Sequence, residues 1–214
     1  MLCVMRSDYP WRVIAFNIHL NVRRRVAGLL PEGNGIVTLD LQAKGEQQMP
    51  ASMQDFKEAM GRFPSGVTIV TTVDQDGRSW GFTATAFSSL SIDPPLILAC
   101  LAGKAECKAA FMSATQFAVS ILRPEHKDLA IRFATKGIDK FAGGEFSTGN
   151  IGVPVLTDAV VTIECTMEAK YPGGDHVILV GAVEHIKIQK GEATIYHGGK
   201  FHTLARADDP RAAS

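Results

Sequence analysis

Small hydroxyl side chains recur within residues 81–95 of this sequence, where they could hydrogen-bond a polar ligand. The hydroxyl residues that fall at even spacing are Thr83, Thr85, Ser89 and Ser91. In an extended chain alternate residues point to the same side, so this spacing predicts one strand with a hydroxyl-bearing face. The two prolines at residues 94–95 supply no backbone donors, which ends the strand there. Such a face suits an anionic or polyol ligand, although Ser and Thr also occupy exposed strand faces that bind nothing.

Two glycine pairs provide further candidate sites. Residues 171–176 read Tyr-Pro-Gly-Gly-Asp-His, and the His lies at the mouth of a predicted strand. A histidine in that position can donate a hydrogen bond to a ligand, and its charge can change near neutral pH. The alternative is a plain turn in which Asp175 caps the backbone and His176 is merely exposed. Residues 196–201, Tyr-His-Gly-Gly-Lys-Phe, form either a second site or a terminal turn.

The elements that must position these residues are mostly strands. Hydrophobic and β-branched patterning predicts strands at residues 67–73, 96–101, 116–122, 159–169, 176–188 and 193–196, in addition to the hydroxyl strand. Short helices are predicted at residues 55–61, 104–112 and 125–135, and loops at 74–77 and 143–153. Ser52 is the candidate cap of the first helix and Gly61 its stop. Many strands with few helices favour an antiparallel barrel over a doubly wound sheet.

Composition excludes several classes of function. The 214 residues carry 22 basic and 22 acidic side chains, so no electrostatic attraction to nucleic acid is expected. The sequence contains no apolar run of the roughly 18 residues that a membrane-spanning helix needs. The four cysteines form no CxxC pair, which favours a reduced, cytoplasmic setting. No HExxH, GxSxG or strand-linked GxGxxG motif is present, and no metal site is expected.

The first 52 residues differ from the rest of the chain. Up to Pro31 the only acidic residue is Asp8, against several arginines that include residues 23–25. This pattern is compatible with an organelle-targeting segment, an additional arm, or translation from an upstream start. We interpret residues 1–52 as a non-catalytic extension, residues 53–204 as the functional domain, and residues 205–214 as a tail.

Four motifs in one order resemble the short-chain flavin reductase family. They are GRFPSGVT at residues 61–68, TATAFSSLSIDPP at 83–95, GGDH at 173–176 and YHGGKF at 196–201. Members of this family are the NAD(P)H:flavin oxidoreductase components of two-component monooxygenases. The resemblance covers residues 53–204 and implies a mainly β fold, a six-stranded antiparallel Greek-key split barrel with short helices that binds FMN.

The resemblance also implies a set of site residues. Flavin would be held by Thr83, Ala84, Thr85, Ala86, Ser88, Ser89, Leu90, Ser91, Cys100, Leu101, Ala102, Lys104, Arg132, Phe133 and Ala134. The nicotinamide would be bordered by His176, Tyr196, His197 and Gly198. His176 is the candidate catalytic residue, expected to orient the nicotinamide rather than to shuttle a proton. Family members often carry Ser or Thr where this chain has Ala105 and Cys107. With fewer hydroxyls there, Lys104 would make more of the contact with the phosphate. The preference between FMN and FAD is left open.

The expected activity is hydride transfer from NADH or NADPH, with NADH favoured, to FMN or FAD. The reduced flavin would feed a partner monooxygenase, and the resemblance implies a homodimer. One alternative is a flavin- or haem-binding split-barrel carrier or sensor without reductase activity. Another is a reductase that keeps its flavin as a prosthetic group and passes electrons to a protein partner.

Overall fold

A computed structural model describes residues 51–204. The predicted tail, and the predicted N-terminal extension apart from its last two residues, lie outside this range. The helices are α1 (Met53–Gly61), α2 (Lys108–Ser113), a 3-10 helix (Pro124–His126) and α3 (Lys127–Ala134). The strands are β1 (Ser65–Gly66), β2 (Thr68–Val73), β3 (Ser79–Ala84), β4 (Phe87–Ser91), β5 (Leu96–Ala102), β6 (Gln116–Ile121), β7 (Phe146–Thr148), β8 (Pro154–Leu156), β9 (Val161–Gly173), β10 (His176–Ile188), β11 (Thr194–His197) and β12 (Lys200–Thr203). No helix within the described range is long and apolar enough to cross a membrane.

The main sheet has seven strands in the order β3-β2-β6-β9-β10-β5-β4, and every neighbouring pair is antiparallel. Its two edge strands, β3 and β4, follow one another in the chain with only Thr85 and Ala86 between them. The sheet must therefore curl until its edges meet, which makes a split barrel. The predicted mainly β, antiparallel barrel is confirmed, but its main sheet has seven strands where six were expected.

The extra strand comes from the hydroxyl stretch, which was predicted as one strand and forms two. β3 pairs with β2, whereas β4 pairs with β5 at the opposite edge of the sheet. The hydroxyls of residues 83–91 consequently do not share one strand face, and that prediction is wrong. The strand does end before the two prolines, as expected.

The inside of the barrel is one apolar cluster to which strands from the whole sheet contribute. Val70 of β2, Phe117 of β6, Cys165 of β9 and Leu179 of β10 belong to it, and Phe111 of α2 closes it. A second cluster lies on the outer face, where α3 packs Leu129, Ala130 and Phe133 against Val67 and Ile69. The alternation of Ile69 and Val70 between the two clusters is the period-two pattern of a strand covered on both faces.

Several helix and loop predictions need adjustment. The Ser52 side chain caps α1 by accepting from the Asp55 N–H, as predicted, although the helix includes Gly61 and ends at Arg62. α2 begins at Lys108 instead of residue 104, because residues 104–107 form turns. The predicted loop at 143–153 contains β7, which pairs with β8. β11 continues into β12, and the pair forms a three-stranded sheet with β1.

Gly181 marks the tightest packing inside the barrel, and it generates a stability prediction. A Cβ at this position would overlap the Phe117 ring and lie 2.8 Å from Cys165 Cβ. We expect Gly181→Ala to lower the free energy of unfolding by about 1–3 kcal/mol, the usual cost of overpacking. Chemical denaturation measures this, with Gly66→Ala as control because its Cβ would meet nothing within 4 Å. Equal stability of the two variants would contradict the packing argument.

Candidate active site

A cavity of about 320 Å³ opens where the two edges of the barrel meet. The ends of β3 and β5, the start of β10 and the end of α3 converge there. The predicted site residues that line it are Thr83, Ala84, Thr85, Ala86, Cys100, Ala102, Lys104, Phe133, Ala134 and His176. Two of the four motifs, TATAFSSLSIDPP and GGDH, are thus brought to one place together with the ends of β5 and α3, which is the strongest geometric support for a single site.

Thr85 and Ala86 give the cavity its backbone donors. The chain leaves the β2–β3 ladder after Ala84 and joins β5 again at Phe87, with one connecting bond from Cys100 N–H to the Ala86 carbonyl at 2.9 Å. Within residues 51–204 the N–H groups of Thr85 and Ala86 donate to no other protein group. Because unpaired amides are costly unless a ligand or water satisfies them, these two donors are suited to the polar edge of a planar ring.

The Thr83 hydroxyl serves the fold. It donates to the Ala130 carbonyl of α3 at 2.6 Å, which ties the helix to the strand. Gly81 also allows α3 to approach β3 closely, since a Cβ at residue 81 would lie 2.7 Å from Phe133 Cε1. These contacts hold the end of α3 against β3, which places Phe133 and Ala134 at the cavity.

Three lysines surround the cavity and make it electropositive. Lys140 Nζ donates to the Gly81 carbonyl at 3.2 Å and the Phe133 carbonyl at 2.9 Å, and Lys136 Nζ donates to the Lys104 carbonyl at 2.9 Å. Lys104 itself is exposed. The Glu106 carboxylate also lines the cavity, where it accepts from the Gly137 N–H. The surplus of positive charge favours an anion such as a phosphate.

His176 lies at the rim, fixed by its neighbour. Its Nδ1 is 2.7 Å from Asp175 Oδ1, and its side chain is 43% exposed. The hydrogen bond from His176, together with its charge, lowers the pKa of Asp175 below the ordinary value. The Asp175 carboxylate therefore remains ionised at neutral pH, which holds the Nδ1 side of the ring and leaves Nε2 for a ligand.

The turn before β10 lies so close to Gly103, just after β5, that only glycine fits at residue 103. Gly103 N–H donates to the Asp175 carbonyl at 2.8 Å, and a Cβ on Gly103 would lie 2.8 Å from the same oxygen. This contact fixes the position of His176 beside the end of β5, where His176 pairs in register with Ala102.

Cys100 is the thiol of this cavity, and it is not activated. Burial raises the pKa of the Cys100 thiol above its ordinary value. At neutral pH the group is a protonated thiol, which is a poor nucleophile. The cavity thus provides hydrogen-bond donors and positive charge rather than a covalent catalyst.

The remaining predicted residues do not line this cavity. Leu101 is fully buried and faces the barrel interior, because it alternates with Cys100 and Ala102 along β5. Ser88, Ser89, Leu90 and Ser91 lie on the edge strand β4, and the Ser88 hydroxyl donates to the Ser89 carbonyl at 3.0 Å. Tyr196 and His197 lie on β11 of the separate three-stranded sheet, and Gly198 lies in the turn that follows β11. The Tyr196 ring packs on Phe201 at 5.2 Å. Their roles remain predictions.

Arg132 turns away from the cavity to a second, polar depression. Its guanidinium forms an ion pair with Glu145, and both residues line that depression with His126 and Asp158. Burial opposes ionisation of Glu145, but the hydrogen bond and charge of Arg132 outweigh it and lower the pKa of Glu145. The geometry therefore gives Arg132 a partner within the protein.

Five lining residues were not singled out as site residues from the sequence: Phe82, Ala105, Glu106, Lys136 and Lys140. The two lysines follow α3 at a spacing of four residues, on either side of Gly137. Two cations within five residues beyond a predicted helix end were a usable signal for an anion site. Glu106 and Phe82 carried no comparable signal.

This chain is similar in sequence to known proteins. The Flavin reductase like domain family matches residues 60–205. The actinorhodin polyketide dimerase of Streptomyces coelicolor is 46% identical over 74% of this chain and 90% of its own. The NADH:riboflavin 5′-phosphate oxidoreductase of Streptomyces pristinaespiralis is 39% identical, over 70% of this chain and 87% of its own. The reductase subunit HsaB of a flavin-dependent monooxygenase from Rhodococcus jostii is 34% identical, over 68% and 75%.

A solved structure agrees with these relatives. The NADH:FAD oxidoreductase SgcE6 of Streptomyces globisporus, in complex with NAD and FAD fragments, superposes with a TM-score of 0.69 at 32% identity. The match covers 73% of this chain and 94% of that one.

The fold and the cavity define an oxidoreductase of the split-barrel class. The chain belongs to the flavin reductase family, as the four motifs indicated. The cavity fits a flavin in its donor set, with unpaired amides at Thr85 and Ala86 for the ring edge and lysines for a phosphate. Its volume is at the lower end of the roughly 300–1,000 Å³ that small-molecule sites occupy.

A substitution at Lys104 tests how much this side chain contributes to binding the phosphate of FMN. We expect Lys104→Ala to weaken FMN binding by about tenfold, because one charge-assisted contact is lost, and to leave riboflavin binding within twofold. Isothermal titration calorimetry with both flavins measures the two affinities. Lys190→Ala, exposed in the loop after β10, is the matched control. A parallel loss of riboflavin binding would show that Lys104 does not act through the phosphate.

Proposed function

We propose that this chain transfers a hydride from NADH to FMN or FAD and releases the reduced flavin to a partner monooxygenase. The observation that carries the proposal is the meeting of the Thr85 and Ala86 amides, the lysines and His176 around one cavity. When bound, the flavin supplies the hydride acceptor and the reduced nicotinamide supplies the hydride. Family membership and the names of the relatives support this reading.

The protein's own residues position the reactants. The amides of Thr85 and Ala86 fix the ring edge, and Lys104, Lys136 and Lys140 neutralise the phosphate end. His176, held by Asp175, places the nicotinamide above the ring through its free Nε2. No side-chain acid or base is required at the reacting atoms, because direct transfer between stacked rings depends on distance and orientation.

A monooxygenase is the proposed consumer of the reduced flavin. HsaB is named as the reductase subunit of such an enzyme. The cavity is open at the barrel edge, with Lys104 and the backbone at Thr85 and Ala86 exposed, which suits a flavin that must leave after reduction. Location in the cytoplasm is proposed as well, supported by the free thiols of Cys100, Cys107 and Cys165.

A homodimer is the proposed assembly. α1 has no buried residue, and it exposes Phe56 by 60% and Met60 by 55%, with Phe63 just beyond it exposed by 68%. Aromatic and Met side chains are enriched where proteins associate, so this surface is a suitable contact between two copies.

One assay tests the activity. Oxidation of NADH and NADPH is followed at the nicotinamide absorbance band with FMN, FAD or riboflavin added in turn. We expect flavin-dependent turnover, faster with NADH. Non-exchanging flavin that survives gel filtration would instead support a prosthetic group, and flavin binding without turnover would support a carrier.

His176→Ala tests the positioning of the donor in the same assay. We expect KM for NADH to rise by about tenfold, the effect of one lost hydrogen bond, while flavin affinity stays within twofold. His185→Ala, exposed on the same strand, should change neither value. An unchanged KM and turnover in His176→Ala would remove the proposed role.

Light scattering at micromolar concentration tests the assembly. We expect a mass twice the 23.0 kDa of one chain, and its loss in Phe56→Asp, because a buried unpaired carboxylate disfavours association. Ile188→Asp, at a site that is 77% exposed on β10, is the control. A monomeric wild-type protein, or a Phe56→Asp variant that still dimerises, would contradict the proposed surface.

A further inference from the structure

One acidic side chain lies among the lysines of the flavin cavity. Among the described residues that line this cavity, Glu106 is the only acid, and it shares the lining with Lys104, Lys136 and Lys140. Its carboxylate is exposed, and within residues 51–204 it forms no ion pair with any of these lysines. A flavin phosphate that the lysines attract therefore meets one like charge at the same cavity.

The oxygens of Glu106 have a structural role. Both accept from the Gly137 N–H, at 3.0 and 3.2 Å, which ties the turn after β5 to the loop after α3. Gly137 has a φ of 73°, a backbone conformation that glycine adopts far more readily than other residues. Lys136 Nζ crosses the same gap to the Lys104 carbonyl at 2.9 Å. We call these two contacts, Glu106 with Gly137 and Lys136 with Lys104, the loop clasp.

The loop clasp needs an oxygen acceptor at residue 106 but no negative charge. A glutamine side chain has the same length as glutamate, and its amide oxygen can accept from the Gly137 N–H. The fold therefore does not explain the charge of Glu106, which opposes the binding of an anion. Because the charge is exposed, it acts through water, and its effect is modest and depends on salt. The effect is also selective, since it acts on a phosphate more than on the uncharged ring of oxidised flavin.

A weaker hold on the phosphate suits the proposed reaction. Reduced flavin must leave the cavity in every turnover, and release of product limits the rate of many enzymes. Three lysines without an opposing charge would bind the phosphate more tightly and slow that release. A carboxylate in place of a carboxamide at residue 106 lowers the affinity for the phosphate while the loop clasp stays intact.

We propose that Glu106 is a specificity-determining residue whose charge weakens binding of the flavin phosphate and so keeps the flavin exchangeable. The inference rests on the proposed function, which places a flavin with its phosphate beside the three lysines. The charge lowers the affinity for FMN and leaves unchanged the affinity for riboflavin, which has no phosphate. The ratio of the two affinities therefore reports the charge, whereas riboflavin affinity alone reports the loop clasp.

Glu106→Gln removes the charge and retains the acceptor. Affinities of the full chain for FMN and riboflavin are measured by quenching of flavin fluorescence at low and high salt, with Debye lengths of about 30 Å and about 3 Å. We expect FMN affinity to rise about fivefold at low salt and riboflavin affinity to stay within twofold. At high salt the gain for FMN should fall below twofold. The rate of FMN release, taken from the intercept of stopped-flow binding rates, should fall at least twofold at low salt.

Three further variants separate charge from structure. Glu106→Ala removes both the charge and the acceptor, so the FMN-to-riboflavin ratio should rise as in Glu106→Gln while riboflavin affinity falls. Glu106→Asp keeps the charge on a side chain one methylene shorter, so the ratio should stay within twofold of wild type even where the loop clasp is weakened. Glu192→Gln makes the same change of charge in the exposed loop after β10, and it should leave FMN affinity within twofold.

The outcomes distinguish this inference from the proposed function. If both flavins bind wild type and neither Glu106→Gln nor Glu106→Ala raises the affinity ratio by twofold at low salt, the inference is wrong and the flavin site stands. A gain that persists at high salt, or that appears equally with riboflavin, would overturn it as well, because neither is the effect of a charge on the phosphate. If wild type binds no flavin and oxidises no NADH, the proposed function and this inference fall together.

Discussion

The two-residue link between β3 and β4 is the constraint on which the rest of the molecule depends. Thr85 and Ala86 join strands at opposite edges of a seven-stranded sheet, and a link this short forces the sheet to curl. Curling encloses the apolar cluster around Phe117 and Leu179, so closure and core formation occur together. It also prevents the link itself from entering either ladder, which leaves its N–H groups for a ligand. The same geometric requirement thus builds the barrel and its binding edge.

The positive charge at the cavity follows from backbone carbonyls that need hydrogen-bond donors. The carbonyls of Gly81, Phe133 and Lys104 would face the opening unsatisfied, and lysine side chains satisfy them. Each of those lysines has donors left over, so a structural role and an anion-binding role belong to the same ammonium group. The Cys100 thiol, whose pKa is raised by burial, adds no charge of its own. The cavity attracts and orients anions, in keeping with chemistry that the bound reactants supply.

The sequence predicted elements well where local pattern decides, and site residues less well where tertiary partners decide. The β9 and β10 strands and the Ser52 cap were predictable because periodicity and capping are local. Residues 83–91 looked like one strand, since nothing local indicates that the chain changes its pairing partner at Thr85. Arg132 was predicted to meet flavin, but it pairs with Glu145, thirteen residues away across a loop. The alternation along β5 alone indicates that the Leu101 side chain faces the core.

Lys140 shows how one side chain can serve both the fold and the flavin cavity. Its ammonium group joins β3 at Gly81 to the end of α3 at Phe133, and these are two walls of the flavin cavity. Gly81 has no room for a Cβ against the Phe133 ring, so the spacing of these walls is fixed by packing as well as by hydrogen bonds. A phosphate drawn to the third donor of Lys140 would therefore meet a rigid support and not a mobile side chain. Because two of the three donors of Lys140 are used by the fold, an anion bound to the remaining donor would be held by a cation whose position is fixed before binding.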